Sequence, residues 1–397
     1  MVDFLFQENQ ELSSFDCATA GDATRRAVLI GPHLVSSWPV FDTWVLPRAS
    51  PKAESQIDWD LLSNTYGDLS VTAADCSTRE FSDQKRSTML FRDVVALWKA
   101  GGGSSLYIKD WHLARSSPIP FYTTPDIFRD DWMNAYYSAC TQDDFRFVYA
   151  GAAGTFTPLH RDVYTSYSWS TNICGRKRWW LFPPEQTRWL MKKGREEHGE
   201  TAYDVRTADP HEFPELGRAN PIIVEQEEGE TIFVPSGWYH QVENLTVCIS
   251  INHNWCNAVN LPSLYESMCT KVVEVERALD DVRELLSRDK DNAWELEWVR
   301  IVQDVVEKDA GWNWITFWKM VLHALHIHHS ELCPGTPEQP ALWKLAPTHL
   351  MPGRKFIEER IHRCYTDFMQ RDRREIEVHG LRDVLLAVGG QLGAVTS

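Results

Sequence analysis

The stretch TPLHRDVYTSYSWSTNICGRKRWWLFPP, residues 157–184, joins a few polar residues to two long aromatic and apolar runs. His160 and Asp162 lie two positions apart near its start, and Lys177 stands between the two runs. Alternate residues of a β-strand point to the same face of a sheet, so a strand would turn the histidine and the aspartate to one side. The stretch therefore predicts buried strands that carry a His-x-Asp pair and a lysine.

Similar short β-rich segments surround this stretch and are separated by glycine, proline and acidic turns. They are FRFVYAG at 145–151, NPIIVEQEEG at 220–229, ETIFVPSG at 230–237 and VCISINHNW at 247–255. Many short strands at such spacing are typical of a sandwich or barrel, and often of a jelly roll. We predict a mainly β fold with helices, whose core is a double-stranded β-helix of the cupin-like kind.

The pattern divides the chain into four parts. Residues 1–25 are polar and are expected to be loosely ordered, and residues 26–135 mix helix and strand patterns in an α/β flank. The β core occupies 136–260 and carries a polar insertion at 185–220. Residues 261–397 have apolar positions at helical spacing, which predicts a helical region that either braces the core or forms a homodimer face.

The composition limits the compartment and the partners. Forty basic against 56 acidic residues give a net charge of −16, which disfavours direct binding of nucleic acid and favours a basic protein partner. The nine cysteines are scattered, and no apolar run approaches the roughly 20 residues that span a bilayer. We therefore expect a protein of the cytoplasm or nucleus that does not enter a membrane.

A second histidine supports a metal site. The segment GETIFVPSGWYHQVENL, residues 229–245, contains a strand, a Pro-Ser-Gly corner and then His240. Two imidazoles and one carboxylate, from His160, Asp162 and His240, form the facial triad of non-heme Fe(II) oxygenases if they meet on neighbouring strands. Zinc uses the same residue types in hydrolytic sites, so the donor set by itself leaves the metal open.

Lys177 indicates what else the site binds. A lysine between apolar runs is expensive to bury unless an anion meets it, although it could also extend along the surface to reach solvent. If the RKRWW segment lines the barrel, Lys177 reaches the far end of the pocket and can bind the distal carboxylate of 2-oxoglutarate. Arg176 and Arg178 alternate to the opposite face and are expected to meet solvent.

Together these motifs resemble the JmjC domain of the 2-oxoglutarate oxygenases, and most of all the JmjC-domain-containing protein 4 family. The resemblance extends to LYIKDWHLARSSPIP and FRFVYAGAAGTFTPLH, so it covers about residues 100–260. It implies Fe(II), 2-oxoglutarate and O2 as cofactor and cosubstrates. It also implies a set of binding residues: His160, Asp162 and His240 for iron, Lys177, Thr157 and Tyr107 for the 5-carboxylate, and Asn254 with Asn252 near the 1-carboxylate.

The same resemblance implies an activity. Relatives hydroxylate a carbon of a lysine in the eukaryotic translation termination (peptide-chain release) factor, so we expect a lysyl hydroxylase with that protein substrate. An N-methyl-lysine demethylase would use the same iron chemistry, and an inactive JmjC binding module is a third alternative. Ser170 stands where some relatives carry asparagine, which leaves its contact with the cosubstrate open.

Overall fold

The computed structural model describes residues 26–48, 50, 53–195, 199–288, 294–328, 345–378 and 380–393. The polar segment 1–25 lies outside the described residues. Within them, no helix combines the length and the apolar character that crossing a bilayer requires.

The strands form two antiparallel sheets. In chain order they are β1 (Val28–Ile30), β2 (Ser70–Glu80), β3 (Asp83–Leu90), β4 (Leu106–Trp111), β5 (Arg146–Gly151), β6 (Phe156–Arg161), β7 (Tyr167–Cys174), β8 (Lys177–Phe182), β9 (Ile222–Gln226), β10 (Thr231–Val234), β11 (Tyr239–Asn244) and β12 (Cys248–Trp255). The larger sheet has the order β1-β10-β7-β12-β5-β4-β2-β3, and the smaller sheet has the order β6-β11-β8-β9.

From β5 to β12 each strand lies in the sheet opposite to the strand before it, except that β8 and β9 are neighbours in the smaller sheet. Strands β5 to β12 form two facing layers, β10-β7-β12-β5 and β6-β11-β8-β9, which is the arrangement of a jelly roll. The first four strands extend the larger layer at both edges, β1 beside β10 and β4-β2-β3 beside β5. The predicted fold class is confirmed: a double-stranded β-helix core with an α/β flank before it and helices after it.

Helices precede and follow the barrel strands along the chain. Those before it are α1 (Val40–Thr43), α2 (Trp59–Tyr66), α3 (Phe91–Lys99), α4 (Leu113–Ser116) and α5 (Trp132–Cys140). Those after it are α6 (Leu261–Ala278), α7 (Asp280–Ser287), α8 (Trp294–Ala310), α9 (Trp314–His328), α10 (Arg354–Phe368), α11 (Arg373–Ile376) and α12 (Leu381–Gly393). Aspartates start three of them, because Asp58, Asp131 and Asp372 accept hydrogen bonds from backbone amides in the first turns of α2, α5 and α11.

Strand β7 shows how the alternation of side chains builds the core. Trp169 and Ile173 point outward into an apolar cluster formed with the early helices, where Trp169 stacks on Phe128 with the ring centroids 5.5 Å apart. Ser168 and Ser170 point to the other face, into the barrel, where they bond to polar side chains. One strand therefore supplies an apolar outer face and a polar inner face.

The polar insertion covers the smaller sheet. Leu190, Ala202 and Phe213 from 185–220 are buried against Trp180 and Tyr239 on the outer face of that sheet. Its polar residues also attach to β11, since the Gln241 amide donates to the carboxylate of Asp204 at 2.7 Å. The segment is therefore packed on the barrel, which its polar composition did not indicate.

The C-terminal helices pack on the barrel side that carries α5. Their apolar cluster is centred on α9, whose Trp314, Phe317 and Trp318 are fully buried, and it includes Met133 and Tyr164 from the earlier part of the chain. Of the two alternatives left open by the sequence, bracing of the core is what the described contacts show. A homodimer face on these helices stays a prediction.

Gly175 provides a test of how the two sheets are joined. It lies between β7 and β8 with φ +87°, and a Cβ there would lie 2.1 Å from the carbonyl oxygen of Val247. We expect Gly175→Ala to lower the free energy of unfolding by at least 1–3 kcal/mol, an order-of-magnitude figure for backbone strain to which the clash adds. Urea unfolding followed by tryptophan fluorescence measures it.

The matched control is Gly154→Ala. Gly154 also has a positive φ, +83°, but nothing lies within 4 Å of its Cβ position. Its alanine variant should therefore lose only the strain of the left-handed backbone, roughly 1–2 kcal/mol. Equal losses in the two variants would show that the contact with Val247 is unimportant.

Candidate metal centre and anion pocket

Strands β6 and β11 bring the two predicted histidines together. They pair antiparallel with His160 directly opposite His240, and the two imidazole centroids lie 4.2 Å apart. Asp162 follows one residue beyond the end of β6 and approaches His240, with 4.0 Å between Oδ2 and Nε2. One donor atom from each of the three residues lies within 4.8 Å of the others, a spacing that one metal ion can bridge.

Hydrogen bonds at Nδ1 orient both imidazoles so that Nε2 is available to bind a metal. The Nδ1 atoms of His160 and His240 donate to the carbonyl oxygens of Pro158 and Trp238, at 2.8 and 3.4 Å. This leaves Nε2 of each ring as the available ligand atom. Burial lowers the pKa of His160 to about 4, and the nearby His240 ring contributes to the same shift. The His160 imidazole is therefore neutral, as metal binding requires.

The carboxylate of Asp162 is held by two hydrogen bonds from the larger sheet. Asn254 Nδ2 donates to Oδ1 at 2.8 Å, and the hydroxyl of Ser168 donates to Oδ2 at 2.7 Å. Ser168 and Asn254 are cross-strand neighbours on β7 and β12, so one rung of that ladder fixes both oxygens. Such outer contacts orient a ligand and tune its affinity for the metal.

Lys177 lies at the other end of the same barrel. Its side chain is buried, and its Nζ donates to Asn244 Oδ1 at 3.0 Å and to Tyr107 Oη at 3.3 Å. Neither partner carries a charge at ordinary pH, since Asn244 is an amide and burial raises the pKa of Tyr107. Burial lowers the pKa of Lys177, because it disfavours the charged ammonium. A buried ammonium with neutral partners is poorly compensated, so the pocket suits an anionic ligand.

The predicted residues for the distal carboxylate meet at this pocket. Thr157 hydrogen-bonds to the Tyr107 phenol, which in turn contacts Lys177. Gly151 makes room for them, because a Cβ at this position would lie 2.6 Å from Cδ2 of Tyr107 and 3.2 Å from Nδ2 of Asn244. Arg178 points away, is partly exposed and pairs with Glu225.

The two predicted asparagines of β12 are not equivalent. Asn254 contacts Asp162, as described above, and so belongs to the metal centre. The side-chain oxygen of Asn252 accepts hydrogen bonds from Ser170 and Ser250, one ladder step further along the barrel. Ser170 therefore contacts Asn252, its cross-strand neighbour, in this structure.

Two residues of the site were missed at the level of sequence: Asn244 binds Lys177, and Ser168 binds Asp162. The indole of Trp179, from the aromatic run after Lys177, stacks on His240 with the centroids 5.8 Å apart. The alternation rule could have found Asn244, which lies four residues after His240 on one strand and so faces the same side. Ser168 carries no comparable sequence signal.

A second group of possible donors, His112, Asp143 and Asp144, lies outside this pocket. Asp144 already pairs with Arg146 at 2.7 Å and with His112 at 2.9 Å, so its carboxylate is satisfied without a metal. This cluster is an ion-pair network.

Comparison with known proteins agrees with the fold and the motifs. The model of the Cupin-like domain matches residues 33–260. The chain is 38% identical over 293 residues to the human 2-oxoglutarate and iron-dependent oxygenase JMJD4, a match that covers 71% of this chain and 66% of the relative. It is 36% identical to the arginine-specific demethylase JMJ20 of Arabidopsis thaliana, over 70% of this chain and 62% of the relative.

A fungal relative is similar to the same degree. The JmjC domain-containing protein 1 of Schizosaccharomyces pombe is 35% identical over 71% of this chain and 64% of its own length. The matched region thus spans slightly less than two thirds of each of these relatives. The chain belongs to the family of cupin-like JmjC domains, as its motifs predicted.

The anion pocket generates a prediction about cosubstrate affinity. Lys177→Ala removes the only group of the described pocket that carries a positive charge, so the affinity for 2-oxoglutarate should fall roughly 30- to 1,000-fold, the loss of about 2–4 kcal/mol. Isothermal titration of 2-oxoglutarate into the metal-loaded full chain measures it.

Arg178→Ala is the matched control. It removes a neighbouring cation that points to the outside and pairs with Glu225, so the affinity for 2-oxoglutarate should stay within about two-fold. An unchanged affinity in Lys177→Ala would refute the proposed role of Lys177.

Proposed function

We propose that the chain is an Fe(II)- and 2-oxoglutarate-dependent oxygenase that hydroxylates a carbon of a lysyl residue in a protein substrate, the translation termination factor. One observation carries the oxygenase part: two imidazoles and a carboxylate converge at one end of a barrel whose other end holds a buried, poorly compensated lysine. Several relatives bear the name 2-oxoglutarate and iron-dependent oxygenase.

The donor set fits Fe(II). His160, Asp162 and His240 would occupy one face of the ion and leave the remaining positions for 2-oxoglutarate and O2. When bound, iron supplies the oxidative chemistry, in which a substrate C–H becomes C–OH while 2-oxoglutarate and O2 yield succinate and CO2. The described donors include no thiolate, which is the ligand that would favour a structural zinc site.

The remaining residues of the pocket bind, orient and shield. Lys177, Tyr107 and Thr157 would hold the distal carboxylate of 2-oxoglutarate, so that its other end points back toward the histidines. Asn254 and Ser168 fix both oxygens of Asp162. The Trp179 indole covers His240 and donates to Gln226 at 2.9 Å, which keeps this wall of the pocket apolar and closed to water.

The substrate class rests on the resemblance of the motifs and on charge. A net charge of −16 would attract a basic segment that presents a lysine. The cytoplasmic location that the composition predicts is consistent with a substrate in the translation machinery. The name of the JMJ20 relative favours a second candidate, N-demethylation of a methylated side chain, which proceeds through hydroxylation of the methyl carbon.

Peptide turnover separates these candidates. The full chain with Fe(II), 2-oxoglutarate and O2 should add one oxygen atom to a lysine of a termination-factor fragment and should form one succinate per hydroxylation. Mass spectrometry of the peptide and succinate measurement read out both products. His160→Ala should reduce both below detection, because it removes a metal ligand.

Peptides with methylated lysine or methylated arginine give the competing outcome. Loss of a methyl group with release of formaldehyde, and no gain of oxygen on unmethylated lysine, would replace the hydroxylase by a demethylase. Bound iron without succinate formation on any of these peptides would favour the inactive binding module.

A further inference from the structure

The turn that follows Asp162 has an unusual backbone. Tyr164 and Thr165 both adopt left-handed conformations, with φ of +49° and +53°. A positive φ is uncommon for any residue with a side chain, and it is a marked outlier for a β-branched residue such as threonine. Strain of this kind persists only where surrounding contacts hold it, and it is found preferentially at functional sites.

The C-terminal region holds Tyr164 by a ring stack and a hydrogen bond. Its ring lies on the Trp312 indole with the centroids 5.0 Å apart and the planes 28° from parallel. Its hydroxyl donates to the carbonyl oxygen of Trp312 at 2.9 Å. Trp312 is fully buried between α8 and α9, where it also packs on Tyr137 and Phe145, so the stack has a rigid support.

Helix α6 holds Thr165. The threonine hydroxyl donates to the carbonyl oxygen of Ser263 in the first turn of α6, at 2.9 Å. Tyr164 and Thr165 are both buried, so loss of the Tyr164 hydroxyl would leave the Trp312 carbonyl without this partner, and loss of the Thr165 hydroxyl would remove the bond to α6. Two strained residues are therefore attached to two separate elements of the helical region.

The strained turn begins at the metal ligand itself. The carbonyl oxygen of Asp162 accepts from the Thr165 amide at 3.0 Å, which closes the turn, and the next residue, Ser166, accepts from Asn254 Nδ2 at 3.1 Å. The same Asn254 amide binds the Asp162 carboxylate. A shift of the turn would therefore move Asp162 both through its backbone and through Asn254.

We propose that Tyr164 and Thr165 are positioning residues through which the C-terminal helices hold Asp162 in its metal-binding geometry. This role rests on the proposed iron site but not on the identity of the substrate. It assigns a function to the helical region: α6 and the connection between α8 and α9 complete the metal centre from outside the barrel. Neither residue contacts the metal donors with its own side chain in the described structure.

The test is the affinity for Fe(II) in the absence of 2-oxoglutarate and of any substrate. The full chain, freed of metal, is titrated with Fe(II) under anaerobic conditions by calorimetry. Tyr164→Phe keeps the stack and removes the hydroxyl, and Thr165→Val keeps the branched shape and removes the hydroxyl. Each should weaken Fe(II) binding about ten-fold, as changes behind a metal ligand do.

Two variants control for the loss of a buried hydrogen bond. Tyr137→Phe removes a tyrosine hydroxyl that donates to the carbonyl oxygen of Gly311, the neighbour of Trp312, at 3.1 Å, but Tyr137 lies on α5 and not on the turn. Thr165→Ser retains the hydroxyl. Both should bind Fe(II) within about two-fold of the wild-type affinity. The thermal unfolding midpoint of every variant is measured in parallel.

The outcomes are distinct. Weaker Fe(II) binding in Tyr164→Phe than in Tyr137→Phe at a similar unfolding midpoint supports the proposal. Equal affinities in these two variants, or affinities that only follow the midpoints, overturn it, because the contacts would then be merely structural. If the wild-type chain binds Fe(II) but hydroxylates no lysyl peptide, the proposed substrate is refuted, and the Fe(II) affinities of the variants still decide the role of Tyr164 and Thr165. If the wild-type chain binds no Fe(II), both the proposed function and this role are refuted.

Discussion

The antiparallel pairing of β6 with β11 is the constraint on which the site depends. It sets His160 opposite His240. The register of the same two strands shifts between His240 and Val242. A slip by one residue would turn one histidine to the outside of the barrel, because the side chains of a strand alternate. The apolar outer faces of both sheets specify the register, since the same slip would turn their apolar side chains into the barrel and place polar side chains in the apolar clusters.

The inside of the barrel contains buried polar groups beside an apolar cluster that includes Trp179 and Ile232, and the polar groups have an energetic consequence. Lys177, Asn244 and Tyr107 satisfy one another only in part, because no carboxylate is among the described partners of the buried ammonium. A buried charge of this kind destabilises the protein without its ligand and makes binding of an anion more favourable. The pocket therefore exchanges some stability for affinity, while the outer cores supply the apolar burial that stabilises the fold.

The helical region links stability to the metal centre. Its apolar cluster contains Trp312, Trp314 and Trp318, all of which are fully buried. The same cluster includes Tyr164, two residues beyond Asp162. Packing of the helices and the geometry of one metal ligand are thus parts of one network, which explains why a region without motifs of its own accompanies the barrel.

The sequence by itself determined the donor set, the lysine of the anion pocket, the jelly-roll class and the helical nature of the C-terminal part. These features follow from local patterns, namely the alternation of side chains in strands, the helical spacing of apolar residues and the ordered motifs around His160 and His240. Only the tertiary structure decided that Asp162 lies just beyond its strand, that Asn244 and Ser168 complete the site, and that the described residues of 185–220 pack on the smaller sheet. The tertiary structure also joined the turn after Asp162 to the helical region. The two hydrogen bonds that do so connect residues separated by 98 and by 148 positions in the sequence. Contacts at such separations depend on how whole elements pack, and no periodicity within a short segment records them.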